Sequence, residues 1–399
     1  AREADKSVVV VGAGVFGASA AVELRRRGYS VYLLDPGPVP HVLAASTDIS
    51  KVLRMDYGAD EFYMELMEAA FEGWDAWNKA WGQPLFHQTG MLLLASEPMV
   101  SGGFEHDSYQ LLVARGHQPE RLSTDEVKRR FPAWDLINYS EAYFNPRAGW
   151  AESGEVVARL ISEGKTLGVK VHGGAQMHGL IDQGTRVAGV RTADGREFMA
   201  DYVVVAAGAW TPALLPQLKD LMWSTGQPVF HFRVDDVESF QPPKFVVWTA
   251  DVANTGWYGF PALDDGTVKV ANHGPGKPQP ADAPRHVGPE HLERFRAFFR
   301  RALPDLADAP VISDRLCMYC DTWDGDFWID HDPAREGLIV AAGGSGHGFK
   351  FAPMLGPIIA DVLERKPNRF AHRFAWRARG AMKTEDARNS EVGEGGKRK

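Results

Sequence analysis

An α/β fold is predicted, and three segments predict it. The chain opens on a strand, a glycine turn, a helix and a second strand. A later strand at 202–210 runs into Ala-Gly-Ala. Another strand, at 338–342, leads into a glycine-rich loop and a helix. Units of this kind pack as a sheet with helices against its faces.

Residues 7–11 read Ser-Val-Val-Val-Val. A short β-branched run suits a strand covered on both faces. Gly12-Ala-Gly14-Val15-Phe16-Gly17 follows, then a helical stretch to Arg27, with Gly28 placed to end it. The second strand, 30–34, ends at Asp35. Gly12 permits the tight turn, Gly14 lets the backbone approach a pyrophosphate, and Gly17 lets the helix pack on the strand. The helix N-terminus offers free N–H groups to phosphates. Asp35 falls where a carboxylate accepts from ribose hydroxyls. This is a Rossmann-like dinucleotide fingerprint. By itself it suits NAD as well as FAD, and a glycine turn in an ordinary α/β protein is the bland alternative.

Residues 185–197 read as a hairpin turning at Asp194-Gly195. The strand after it ends in Ala-Ala207-Gly208-Ala-Trp, and Thr211-Pro212 opens a helix. That order is a common late element of two-dinucleotide-binding flavoproteins and favours FAD. The last unit reads Gly343-Gly344-Ser-Gly346-His347-Gly348-Phe-Lys350, with a helix over about 353–365. A helix N-terminus aimed at a flavin's pyrimidine edge would stabilise negative charge on the reduced ring. A second phosphate-type loop or a plain turn is the alternative; His347 and Lys350 inside the loop speak against the plain turn.

The 399 residues suffice for two packed lobes, and 44% hydrophobic with 24% charged residues allows a sizeable core. A net charge of −8 argues against a nucleic-acid partner. No apolar run approaches the roughly 20 residues that span a bilayer, so no membrane partner is expected. Residues 1–7 are charged and too short for a signal peptide, and the C-terminal Gly-Gly-Lys-Arg-Lys is no peroxisomal tripeptide. A cytoplasmic protein is expected. Residues 380–399 are polar and charged and read as a flexible tail.

Cys317 and Cys320, in Cys-Met-Tyr-Cys, are the two cysteines. They exclude a disulfide framework. They could be half a zinc site, but no second pair exists, and no metal is expected. A thioredoxin-like dithiol would follow a first strand and open a helix. Two buried thiols is the remaining plain reading.

Together the motifs resemble the monomeric sarcosine oxidase and fructosyl amino acid oxidase (amadoriase) branch of the D-amino-acid-oxidase-like flavoproteins, over about 7–379. Gly12 to Gly17 and Asp35 match the FAD fingerprint. Ala44-Ala-Ser46-Thr47-Asp-Ile-Ser50-Lys51-Val-Leu-Arg54-Met-Asp-Tyr57-Gly is similar to the fructosyl amino acid oxidases. Arg315-Leu-Cys317-Met-Tyr-Cys320 with Asp326-Phe327-Trp-Ile-Asp330 resembles the segment carrying a covalent flavin, and 343–350 the C-terminal glycine loop.

The resemblance implies a GR2-type FAD-binding domain (1–85, 147–216 and 325–379) with an interleaved α+β substrate domain (86–146 and 217–324). It implies a thioether from Cys317 to the flavin 8α carbon, with Cys320 a bystander. Val15, Phe16, Ser46, Thr47, Ser50, Ala207, Gly208, Gly344, Gly346, His347 and Gly348 would also contact the cofactor. Lys269 lines up with a lysine that holds a water near flavin N5 and speeds reaction with oxygen. His273 matches an active-site histidine and Tyr258 an aromatic pocket wall. Lys350 matches the lysine on the substrate carboxylate; Lys51 and Arg54 match basic residues on the flavin's face and beside that carboxylate. Without the resemblance, Lys269 would read as a solvated surface charge. Fixed cations have physical sense here: O2 gains negative charge as it is reduced, and a carboxylate entering an apolar cleft needs cationic partners.

The implied activity is oxidation of a secondary amine carrying a carboxylate to an imine that hydrolyses, with O2 reduced to H2O2. A monomer is expected. One departure stands out. Fungal fructosyl amine oxidases place an acid near 257–261 to hold sugar hydroxyls; this chain has Phe260, which implies a less polar N-substituent or a sugar bound another way. Arg377 and Arg379 resemble a late arginine region of that subfamily. A flavin dehydrogenase using another acceptor, or a flavin-binding protein without oxidase chemistry, remains open.

Overall fold

The computed structural model describes residues 6–390. Its first sheet has six strands in the order Trp328–His331, Leu338–Ala342, Tyr202–Val205, Ser7–Val11, Ser30–Asp35 and Lys170–Gly173. All neighbours are parallel except the Trp328–His331 edge. The valines at 8, 9 and 10 are wholly buried, as a central parallel strand requires. The helix Val15–Arg26 lies on this sheet between the Ser153–Leu167 and Ala352–Leu363 helices. It approaches the preceding turn closely: a Cβ on Gly17 would stand 1.6 Å from the Gly12 carbonyl oxygen. Gly12 itself has φ +101°, and a Cβ there would meet the Ala206 carbonyl oxygen at 2.2 Å. Both fingerprint glycines are therefore sterically dictated.

Four strand carboxyl ends converge on one crevice: Val11, Asp35, Val205 and Ala342. In an open α/β sheet that is where a ligand binds. The expected hairpin is present, pairing Arg186–Thr192 with Glu197–Met199 through the Asp194-Gly195 turn. The last helix is Ala352–Leu363, and a 3₁₀ turn, Phe349–Phe351, separates it from the glycine loop. The helix expected at 211 is only Thr211–Leu214.

A second, nine-stranded sheet is built from strands lying between residues 91 and 145 and between 222 and 322. It is mixed, with Val247–Ala250 running parallel to Met91–Ala95. Two registers position chemistry. Met222–Arg233 pairs on one side with Thr267–Asn272, setting His231 against Lys269, and on the other with Val311–Thr322, setting Gln227 against Cys317. Because strand side chains alternate, Lys269, Ala271, Arg315, Cys317 and Tyr319 share one face. Cys317 and Cys320, three apart, point to opposite faces and form no dithiol.

The segment after Arg379 departs from expectation. Glu385, Arg388 and Asn389 are buried, so residues 385–389 form a packed strap rather than a loose tail. Its charges are matched internally: Arg388 holds Asp321 through two bonds of 2.6 and 2.9 Å. The rest of the expected tail, 391–399, lies outside the described residues. Among the described residues, no helix is long and apolar enough to cross a membrane, and no cluster of His, Cys, Asp and Glu could hold a metal.

Candidate active site

The crevice holds a cavity of about 360 Å³. Gly12, Gly14, Val15, Phe16 and Asp35 line one part, and Ser46, Lys51, Ala207 and Gly208 another. Gly344, Gly346, His347 and Gly348 close it from the C-terminal loop. A smaller cavity of about 70 Å³ abuts it, lined by Arg54, Tyr258, His273 and Lys350 among others. Lys51, Tyr319, Gly346, His347 and Phe349 border both.

The larger cavity suits an adenine dinucleotide. Gly14, at the N-terminal end of the Val15–Arg26 helix, has no side chain to cap it, and the first helical N–H, that of Val15, is taken by Ser46 Oγ at 3.1 Å. Gly14 lies on the wall, where a Cβ would approach Ser46 Oγ to 3.2 Å. Asp35 is anchored as an acceptor, taking the Ala13 N–H at 3.0 Å and the Gly37 N–H at 3.2 Å. Burial nonetheless pushes its carboxyl up, against those two bonds. A ligand hydroxyl would replace part of the lost solvation.

Lys269 is 1% exposed and lies 2.9 Å from Asp48 Oδ2. It also donates to the Ser50 carbonyl at 2.5 Å and lies over the Phe260 ring at 4.9 Å. Burial pulls its ammonium down to about 8, against the attraction of Asp48. Burial would raise Asp48, but Lys269 and the His231 hydrogen bond outweigh it and hold the carboxylate far below its usual range. At neutral pH the pair is ionised.

Around the smaller cavity the basic groups are held by neighbours. Glu385 Oε1 accepts from Arg54 Nη2 at 2.5 Å and lies 2.7 Å from His273 Nε2. Arg54 Nη1 donates to the Asp56 carbonyl, and the guanidinium stacks over Tyr57 at 4.4 Å. Burial drives His273 down to about 4, so its Nε2–H donates to Glu385 as a neutral ring. Lys350 Nζ donates to Tyr57 Oη at 2.9 Å and to the His347 carbonyl at 2.8 Å. Burial and the nearby Arg54 lower its ammonium strongly. Two of its three substituent positions are thus committed, leaving one for a ligand. His347 Nε2 donates to the Gly325 carbonyl at 2.7 Å, leaving Nδ1 to accept from Tyr57 at 2.9 Å.

Lys269, Gly17, Thr47, Ser50 and Cys317 line neither of these two cavities. Gly17 packs helix on strand. Thr47 accepts from Arg315 through its carbonyl, and Ser50 from Lys269. Cys317 is 1% exposed beside Ala45, Tyr258 and Tyr319, while Met318, Tyr319 and Cys320 reach the larger cavity. Cys320 packs by Met222 Sδ at 3.8 Å, and burial pushes its thiol up to about 12. Arg377 forks onto Asp324 at 2.7 Å by two nitrogens, and Arg379 bonds the Asp220 carbonyl; neither lines a cavity.

The family of FAD-dependent oxidoreductases matches residues 7–362. This chain belongs to that family. L-saccharopine oxidase of Schizosaccharomyces pombe is 28% identical, over 93% of each chain. Monomeric sarcosine oxidase of a Bacillus species is also 28% identical, over 89% of this chain and 91% of its own. Amadoriase II (fructosamine oxidase) of Aspergillus fumigatus superposes with a TM-score of 0.84 at 26% identity, over 98% and 95% of the two chains. The chain is thus an FAD-dependent oxidoreductase similar throughout to amine oxidases.

Sequence reasoning missed Asp48 and Glu385. Asp48 stood inside a segment already singled out, and the signal was available: a buried lysine needs a carboxylate. Glu385 had no signal, because it sits in a segment whose composition reads as solvated.

Proposed function

We propose that this enzyme oxidises secondary amines bearing a carboxylate, with O2 as electron acceptor. The observation that carries the reading is the shared wall of the two cavities. A glycine-lined dinucleotide cavity meets a small pocket whose boundary carries Arg54, Lys350 and Lys51. The named relatives, a sarcosine oxidase and a saccharopine oxidase, are oxidases of secondary amines that carry a carboxylate, which supports it.

Residues 1–85, 147–216 and 325–379 would form the FAD-binding domain, and 86–146 with 217–324 the substrate domain. Asp35, Gly12, Gly14, Ser46 and the 343–348 loop would hold the cofactor. The chemistry supplied by bound FAD is acceptance of a hydride equivalent from the C–H beside the amine nitrogen, and delivery of the two electrons to O2. The protein orients and excludes water. Lys350 offers its remaining position to the substrate carboxylate, whose negative charge would favour the ammonium that burial and Arg54 disfavour in the empty pocket. Tyr258 walls the pocket. Lys269 holds a fixed positive charge where oxygen gains electrons. The resulting imine hydrolyses with water. Cys317 would tether the flavin by a thioether.

Mixing the yellow holoenzyme anaerobically with a panel of N-methyl amino acids, cyclic imino acids and fructosyl amino acids tests this. Bleaching by at least one class, followed by full recovery on admitting air, is expected. No bleaching by any secondary amine would overturn the reading.

A further inference from the structure

The strap at 385–389 spans the two sheets' territories. Asp386 accepts from the Ala59 N–H at 3.3 Å. Arg388 bonds the Gly274 carbonyl at 2.9 Å and grips Asp321. The Asn389 N–H donates to the His273 carbonyl at 3.0 Å. Between these anchors Glu385 turns inward, with its side chain 1% exposed. Oε1 meets both Arg54 and His273, and Oε2 accepts from Ala387 N–H at 2.9 Å. Ala387 itself lines the smaller cavity.

We infer that Glu385 is a specificity-determining residue: an internal carboxylate seated on Arg54 that weakens the pocket's hold on the carboxylate of its substrate. The inference rests on the amine-oxidase reading above. Arg54 has one Nη bound to Glu385 and the other to the Asp56 carbonyl, so its end-on fork is occupied. A second carboxylate beside this pair meets an Arg54 charge that Glu385 already cancels, and the Glu385 oxygens repel it in a dry setting where charge–charge interactions are strong. Burial opposes ionisation of Glu385, but Arg54 and the bond from His273 outweigh it and keep it anionic. The substrate carboxylate is then held at one point, Lys350, instead of two. The enzyme would therefore discriminate less sharply between secondary amines with and without a nearby carboxylate than a free Arg54 would.

Benzoate, a simple carboxylate that cannot be oxidised, is titrated calorimetrically into the resting holoenzyme. Glu385→Gln is expected to bind it at least about 10-fold more tightly than wild type. The double variant Glu385→Gln/Arg54→Met is expected to lose that gain. If Glu385→Gln does not fold, Glu385→Asp, which withdraws the charge by one methylene, is expected to show a smaller gain. In steady state, kcat/KM for sarcosine relative to a carboxylate-free N-methyl amine should rise by a similar factor in Glu385→Gln. Unchanged or weaker benzoate binding in both single variants would overturn the inference. Its failure is separable from that of the amine-oxidase reading, because the titration needs no turnover.

Discussion

Lys269 Nζ lies 2.9 Å from Asp48 Oδ2, with neither side chain more than 2% exposed. The lysine comes from the nine-stranded sheet and the aspartate from the loop that also lines the dinucleotide cavity. The pair therefore ties the nine-stranded sheet to the loop that borders that cavity. Desolvating an ammonium is costly, and Asp48 is what keeps it charged near neutral pH.

Lys269→Met should leave anaerobic flavin reduction nearly unchanged while slowing re-oxidation about 10²-fold. Stopped-flow with separate anaerobic and aerated mixes resolves the two steps. An unchanged oxygen step would remove Lys269 from that role.

The oxygen step should also fall as pH rises. Lys269 is protonated below about 8 and loses its charge above it. The re-oxidation rate constant is therefore expected to be flat below that pH and to decline above it. Asp48→Asn removes the partner that raises the lysine, so the declining limb should move to lower pH. A limb that stays in place in Asp48→Asn would mean that another group titrates.

Cys317→Ser should fold and bind FAD but release its yellow colour to the supernatant on acid precipitation. Wild type and Cys320→Ser should keep the colour in the pellet. Release from wild type would show that Cys317 carries no thioether.

Asp321→Asn should strip the partner from Arg388, whose side chain is 4% exposed. Leaving a buried charge unpaired costs about 3–5 kcal/mol. Thermal unfolding should fall accordingly, and protease should cut within 380–390 sooner than in wild type. Equal stability would mean that the strap is not held by this pair.

The fold was legible where physics is local. Gly12 needs a positive φ, Gly17 needs close packing, and both demands write themselves as glycines at fixed spacing. The strands around Val9 and Val204 announce themselves by β-branched runs, since both sheet faces are covered. The pairing of Arg54 with Glu385 was not legible. It joins residues 331 apart, and no periodicity or motif records such a contact. Composition pointed the wrong way: a charged segment reads as solvated unless its partners are known, and here Asp321 and Arg54 are those partners. Phe260 shows the intermediate case. It stood out by comparison with a sugar-binding acid, yet it is buried in the core beneath Lys269, where a ring face meets a cation.

The most direct test of the account is the peroxide formed per secondary amine oxidised, measured on the purified holoenzyme in air with a substrate that bleaches it anaerobically. One H2O2 is expected for each amine consumed, with the same ratio reached about 10²-fold more slowly in Lys269→Met. Amine oxidation that yields no peroxide, and proceeds only with an added electron acceptor, would contradict it.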